Sequence, residues 1–393
     1  MKTVDMTRGK PSEDQLSLTS ELEKIKTFSD YIVEGVDIRN YGILEGLQGA
    51  RALLAPILQV SPTQVIAFGN SSLTLMFLYA RWLLDRYKKE TGKSSAKWIA
   101  LTPGYDRHFA ICEELGIELI SVPMKATGPD ISAIQSIISQ DSSVLGMWCV
   151  PKYSNPCGVV YSDESVMECI SLLKQSSPHF TIFWDNAYGI HDFDPINPTP
   201  LLPIMKHAED MHVQDKIALF CSTSKITYAG GGLAGIGLSA EMKSLFLKHV
   251  GVMSIGPDKL AQQKHMQLFS EPGSLTAHMK AHAALITPKF DAVLDIFADR
   301  LQNTPGVSWS KPKGGYFISL YTPRGTAKKI CAAARDKGIV LTQAGSAYPY
   351  GKDPEDAHLR IAPTYPSLED VTYAAKIICD AINEVVESTQ AAS

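Results

Sequence analysis

The chain has 393 residues, 45% hydrophobic and 20% charged, enough to bury the core of one large domain with a smaller companion. Its 37 basic and 41 acidic side chains give a net charge of -4 with no basic stripe, which argues against nucleic acid as a partner and for small molecules. No apolar run reaches membrane-spanning length and the opening residues lack a signal-peptide core, so a cytoplasmic protein with no membrane partner is expected. The thiols of Cys112, Cys149, Cys157, Cys169, Cys221, Cys331 and Cys379 form no C-x-x-C pair and read as reduced core residues.

In chain order, the polar start with Gly9 and Pro11 reads as an extended arm leading to a short helix near Ser20 to Ile32. Leu44, Leu47, Leu53, Leu54 and Ile57 fit a helix that stops before Ser61-Pro62, with Arg39 and Tyr41 on the loop before it. Val65 to Gly69 is a short apolar run. Asn70, Ser71 and Ser72 then form an N-cap before a long helix, an arrangement whose free backbone N–H groups favour an anion, although most such helix starts bind only water.

Strand candidates follow at Trp98 to Leu101, Glu118 to Val122, Val144 to Val150, Thr181 to Trp184, Ile217 to Phe220 and Ala234 to Ser239. Helices are expected between several of them, at Arg107 to Leu115, Ile131 to Ile138 and Glu164 to Lys174. With Val65 to Phe68 these make seven strands, and their near-continuous apolar character predicts a mostly parallel sheet buried on both faces. Ligands bind beyond the carboxyl ends of such strands. After Glu241 the pattern is helical through roughly Lys259 to Leu301. Beyond Pro305-Gly306 come strands at Tyr316 to Tyr321, Ile339 to Thr342 and His358 to Ile361, a helix at Thr326 to Lys337, and a last helix opened by a capping box at Ser367 to Asp370. The domains expected are a large one over 46–295 and a smaller α+β one formed by 1–45 and 296–393.

Three strand ends carry polar residues that make chemical sense together: Asn155-Pro156-Cys157-Gly158, Asp185-Asn186-Ala187-Tyr188, and Ser222-Thr223-Ser224-Lys225. A lysine at a strand end is usually a solvated surface residue, but it is also where a Schiff-base lysine sits, one whose amine condenses with an aldehyde cofactor and later moves protons.

These motifs, from Gly9-Lys10-Pro11 through Asn155-Pro156-x-Gly158, Asp185-x-x-Tyr188 and Ser222-x-Ser224-Lys225 to Arg360-Ile361-Ala362, resemble in order and spacing the class I/II aminotransferases of the fold-type I pyridoxal-phosphate enzymes. Within that family the chain looks closest to a bacterial aspartate aminotransferase subgroup with Arg8-Gly9-Lys10-Pro11, Arg39-Asn40-Tyr41-Gly42 and the Ser222 to Thr227 lysine segment. The resemblance implies an α/β fold-type I transferase, with pyridoxal 5'-phosphate as cofactor. It implies Lys225 as the Schiff-base lysine, Asp185 as the partner of the ring nitrogen, and Tyr188 and Asn155 as donors to the ring oxygen. Tyr105 would stack on the ring. Asn70, Ser71, Ser72, Ser222 and Ser224 would hold the phosphate, and Arg360 would grip the substrate α-carboxylate. The better-known members carry an arginine eight residues past the lysine to grip the phosphate; here that position is Leu233. Tyr41 resembles a tyrosine that reaches the neighbouring subunit's phosphate, which implies a homodimer with shared sites.

The expected reaction is transfer between L-aspartate and 2-oxoglutarate by a ping-pong Schiff-base route. A second cation for the distal carboxylate must then come from Arg8, Lys10, Arg39 or Arg107. Two readings compete: the same cofactor serving an aminotransferase for aromatic or other neutral amino acids, or a β-lyase; and, from a different class, a non-catalytic amino-acid sensor.

Overall fold

In the computed structural model, which describes residues 2–7, 9–24 and 31–391, the expected strands are organised by alternation of side chains across one sheet. Ile182, Trp184, Ile217, Leu219 and Cys221 face one core, packed against Leu54 and Leu58 of the helix Gln48–Leu58 and Ile170 and Leu173 of the helix Asp163–Gln175. Phe183, Ala218 and Phe220 face the other, packed against Tyr79 and Trp82 of the helix Ser72–Thr91 and Phe246 of the helix Ala240–Met253. Successive strand residues point to opposite faces, so covering both faces with helices requires unbroken apolar runs.

The sheet order is Val65–Ala67, Ala234–Gly237, Ile217–Ser222, Thr181–Asp185, Val144–Cys149, Lys97–Thr102, Glu118–Lys125 and Gly128–Pro129. From Ile217–Ser222 to Glu118–Lys125 every neighbour is parallel, whereas Ala234–Gly237 runs antiparallel to both strands beside it. The sheet therefore has eight strands instead of the seven expected. The extra one, Gly128–Pro129, is a two-residue antiparallel edge, and its Gly-Pro sequence carries turn chemistry, not a strand pattern.

A third cluster joins Phe290, Val293 and Phe297 of the helix Ser274–Leu301 to Ile378 and Ile382 of the helix Leu368–Ala391. It also takes in the three-stranded sheet of Ser308–Trp309, Ile318–Tyr321 and His358–Ile361. The helix Ser274–Leu301 runs unbroken across position 295. The arm departs from expectation in two ways. Val4–Met6 forms a strand parallel to Ile339–Leu341, and a helix at Glu13–Ser17 precedes the one expected near Ser20 to Ile32, of which the described residues show Glu21–Lys24, residues 25–30 lying outside those described. The helix expected from Leu44 begins at Gln48, with Leu47 at its N-cap, and the strand expected from Tyr316 begins at Ile318.

His282 and His358 are buried, and burial pushes both down to about 4 from the ordinary imidazole value of 6.5. A histidine held neutral in the fold contributes stability that is present above its unfolded pKa and lost as pH falls toward its folded one. Denaturant unfolding should therefore show stability falling between about pH 6.5 and 4, by on the order of 3 kcal/mol per histidine. Replacing His358 by Gln should flatten that slope.

Candidate active site

Parallel pairing sets two of the functional residues beside each other. In the register of Thr181–Asp185 with Ile217–Ser222, Phe220 lies opposite Asp185, so the carboxylate and the Ser222 to Lys225 turn leave the sheet at the same edge. Asp185 is buried; its Oδ2 lies 3.1 Å from His108 Nε2, and its Oδ1 has no hydrogen-bond partner among the described residues. His108 stacks on Trp148 at 4.4 Å and 13°, and meets the edge of Tyr105 at 4.9 Å. It sits one helical turn past Tyr105, the N-cap of the helix Asp106–Glu114. Sequence reasoning passed over this histidine, whose one signal is its i, i+3 spacing from Tyr105.

Lys225 is half-buried, with its Nζ 5.1 Å from the centre of the Tyr188 ring. Its ammonium is pushed below the ordinary lysine value of 10.5, first by desolvation and also by the Arg360 charge, while the Asp185 carboxylate acts the other way. Burial raises the Tyr188 hydroxyl well above its usual range and Tyr105 to about 12, so both stay protonated donors.

Arg360, on the strand His358–Ile361, is buried with its guanidinium 4.9 Å from the Phe317 ring centre. Nη1 contacts Asp106 Oδ1 at 3.2 Å and Asn155 Oδ1 at 3.4 Å, while Nε has no partner among the described residues. Asn155 thus sits against Arg360, and its carbonyl oxygen accepts from the guanidinium.

The serines and Asn70 form a second group. Ser222 Oγ donates to Ser224 Oγ at 3.1 Å, Ser224 Oγ to the Asn70 carbonyl at 3.0 Å, and Asn70 Nδ2 to the Gly230 carbonyl at 3.1 Å. Ser71 is the N-cap of Ser72–Thr91 but makes no side-chain cap, leaving the first-turn N–H groups of a long helix beside these hydroxyls. Leu233 takes no part. Its side chain is buried in the core, and its backbone is tied to Thr223, whose hydroxyl accepts from Leu233 N at 2.8 Å.

The cations separate. Arg39 is exposed and held bidentate by Asp37 at 2.9 and 2.8 Å, and it lines a hollow with Tyr41 and Gly256 to Leu260 that includes none of the residues above. Tyr41 is 77% exposed. Neither is brought to Lys225 within one chain. Lys10 lies over the Tyr365 ring at 3.7 Å, next to Gly9, which packs on Phe317. Arg107 is exposed beside Asp106, with no ion-pair partner among the described residues. Arg8 lies outside the described residues.

The family model described as aspartate amino-transferase matches residues 2–392. The chain is 41% identical over 380 residues to a Mycolicibacterium smegmatis protein named an aminotransferase, covering 94% of this chain and 87% of that one. It is 39% identical over 377 residues to the aspartate aminotransferase of Corynebacterium glutamicum, again covering 94% and 87%. A crystal structure of an aspartate transaminase from C. glutamicum superposes with a TM-score of 0.94 at 36% identity, covering 99% of this chain and 92% of that one.

The opposed effects on Lys225 give a pH test. In the cofactor-free protein, the pH dependence of amine modification at Lys225 should shift to lower pH in Asp185→Asn, which removes the charge that raises its pKa. In Arg360→Met it should shift to higher pH.

Proposed function

The chain belongs to the aspartate amino-transferase family of the fold-type I pyridoxal-phosphate class and is an aminotransferase; from that premise we propose that it binds pyridoxal 5'-phosphate and exchanges the amino group of L-aspartate with 2-oxoglutarate. The observation that carries the cofactor assignment is the Asp185 carboxylate, buried with one oxygen unpartnered, beside a lysine whose amine is shifted toward the neutral form. A buried carboxylate oxygen without a donor is costly, and a protonated pyridine nitrogen is a donor of the right charge. The residues fit the group.

When bound, the cofactor supplies an aldehyde that condenses with amines and a protonated ring that draws electrons from the substrate α-carbon. The chain's own groups do the rest. Asp185, oriented by His108, would keep the ring nitrogen protonated, and Tyr188 and Asn155 would donate to the ring oxygen. Ser222, Ser224 and the Ser71-Ser72 helix start hold the phosphate with hydroxyls and backbone N–H groups, in place of the arginine absent at Leu233. The Arg360 guanidinium grips the α-carboxylate, exchanging its contact with Asp106 for the substrate. Lys225 Nζ would hold the cofactor's aldehyde carbon and would serve as the base that takes the proton from the substrate α-carbon.

L-Aspartate as donor rests on the relatives' substrate. Its distal carboxylate needs a second cation, and Lys10 and Arg107 are the intrachain candidates because each adjoins a residue packed on or bonded to Arg360: Gly9 through Phe317, and Asp106 directly. Tyr41 and Arg39 serve a neighbouring subunit's site in a homodimer. Exposed Leu260 lines the hollow that holds Arg39 and Tyr41, and exposed Val252, Met253 and Ile255 lie just before Gly256, which lines it too. Seven free, buried thiols suit the reducing cytoplasm.

Steady-state kinetics with product analysis test this reading. Oxaloacetate and glutamate should form, without free ammonia, and Arg360→Ala should raise KM for every amino donor by on the order of 100-fold. Lys10→Ala or Arg107→Ala should raise KM for aspartate about tenfold and leave a neutral donor such as alanine unchanged. Release of ammonia and pyruvate, or equal effects on acidic and neutral donors, would refute the assignment.

A further inference from the structure

The backbone that carries Lys225 is held by a hydrogen-bond chain that begins in the N-terminal arm. Gln15 is buried as the third residue of the helix Glu13–Ser17, and its Oε1 accepts from Ser12 N at 3.1 Å in the capping box, which fixes which end of the amide is nitrogen. Its Nε2 then faces two acceptors, the Tyr316 hydroxyl at 3.0 Å and His282 Nδ1 at 3.1 Å. Both hydrogens of the amide are used.

The directions downstream follow. With its oxygen accepting from Gln15, Tyr316 donates its proton to the Lys225 carbonyl at 2.9 Å. His282, accepting at Nδ1, carries its proton on Nε2 and donates to the Ile226 carbonyl at 3.1 Å. That carbonyl also receives His278 Nε2 at 2.5 Å and the Thr19 hydroxyl at 3.4 Å. On the far side of the loop, Thr223 and Thr227 are tied to each other at 2.9 Å, and His265 Nε2 lies 3.0 Å from the Thr227 hydroxyl. The side chain of Lys225 must swing during turnover, so its main chain is the fixed pivot. Two consecutive carbonyls at that pivot receive four donors from three separate segments.

We propose that Gln15, acting through Tyr316 and His282, is a positioning residue for the catalytic lysine: the N-terminal arm sets the main-chain position of Lys225 and thereby the placement of Nζ relative to Asp185. Nothing in this chain of bonds touches the reacting atoms. Its effect is on geometry, where a displacement of about 1 Å can cost on the order of 100-fold in rate. The inference rests on the reading of Lys225 as the Schiff-base lysine.

Two variants of the holoenzyme test it. Tyr316→Phe deletes one oxygen from a buried ring, and Gln15→Met keeps the length of the side chain while removing both donated bonds. Three quantities are measured: kcat and KM for aspartate; the pH midpoint at which the visible cofactor band of the resting enzyme converts; and the thermal unfolding midpoint of the cofactor-free protein. Tyr316→Phe is expected to lower kcat about tenfold, with KM within twofold, and to move the spectral midpoint. Gln15→Met should lower kcat further, and the double variant should match Gln15→Met alone, since Tyr316 lies downstream of Gln15 in the same chain of hydrogen bonds.

The proposal is overturned if kcat stays within twofold or the spectral midpoint does not move while only the unfolding temperature falls. It is also overturned if the two losses add. Should Gln15→Met fail to fold, Tyr316→Phe decides alone by the same criteria. A wild-type enzyme with no visible band would instead refute the function proposed above.

Discussion

The site depends on the parallel pairing of Thr181–Asp185 with Ile217–Ser222. Parallel neighbours end at the same edge of a sheet, and the register that sets Phe220 opposite Asp185 delivers a buried carboxylate and a lysine-bearing turn to one spot. A slip of one residue would turn Asp185 toward the opposite core and Trp184 out of it. Register is protected because both faces are buried: Trp184 and Cys221 belong to one core and Phe183 and Phe220 to the other, so no shifted pairing keeps both filled.

Around that pairing, the fold uses burial to set charge. Among the described residues Asp185 hydrogen-bonds His108, which is itself clamped by Trp148 and Tyr105. Desolvation makes the Lys225 amine a better nucleophile, the nearby carboxylate limits how far, and Arg360 pushes in the same sense as burial. On the role proposed for Arg360, a substrate carboxylate arriving there would offset the positive charge that Lys225 feels. Proton transfer at the lysine would then be linked to occupancy of that site.

Much of this was legible in the sequence because it is local. Apolar runs marked the strands, and the polar residues ending three of them marked the site: Asn155, Asp185 and Lys225 are each within a few residues of a strand end. What escaped was nonlocal or unpatterned. Val4–Met6 is a strand only because Ile339–Leu341, at the other end of the chain, lies beside it, and a three-residue run in a polar arm carries no period. Gln15, Tyr316 and His282 are single polar residues far apart in sequence, meaningful only once folded against the Lys225 carbonyl. Arg39 and Tyr41 belong to the motif that carries the resemblance, yet they line a hollow that includes none of the other site residues, as the role proposed for them toward a neighbouring subunit requires.

The most direct test of Lys225 as the residue that joins the cofactor is borohydride reduction of the holoenzyme followed by peptide mapping. The account predicts a stable pyridoxyl label on Lys225 alone, with label and visible band both lost in Lys225→Ala. A label on another lysine, such as buried Lys152, or a band that persists in Lys225→Ala, would contradict it.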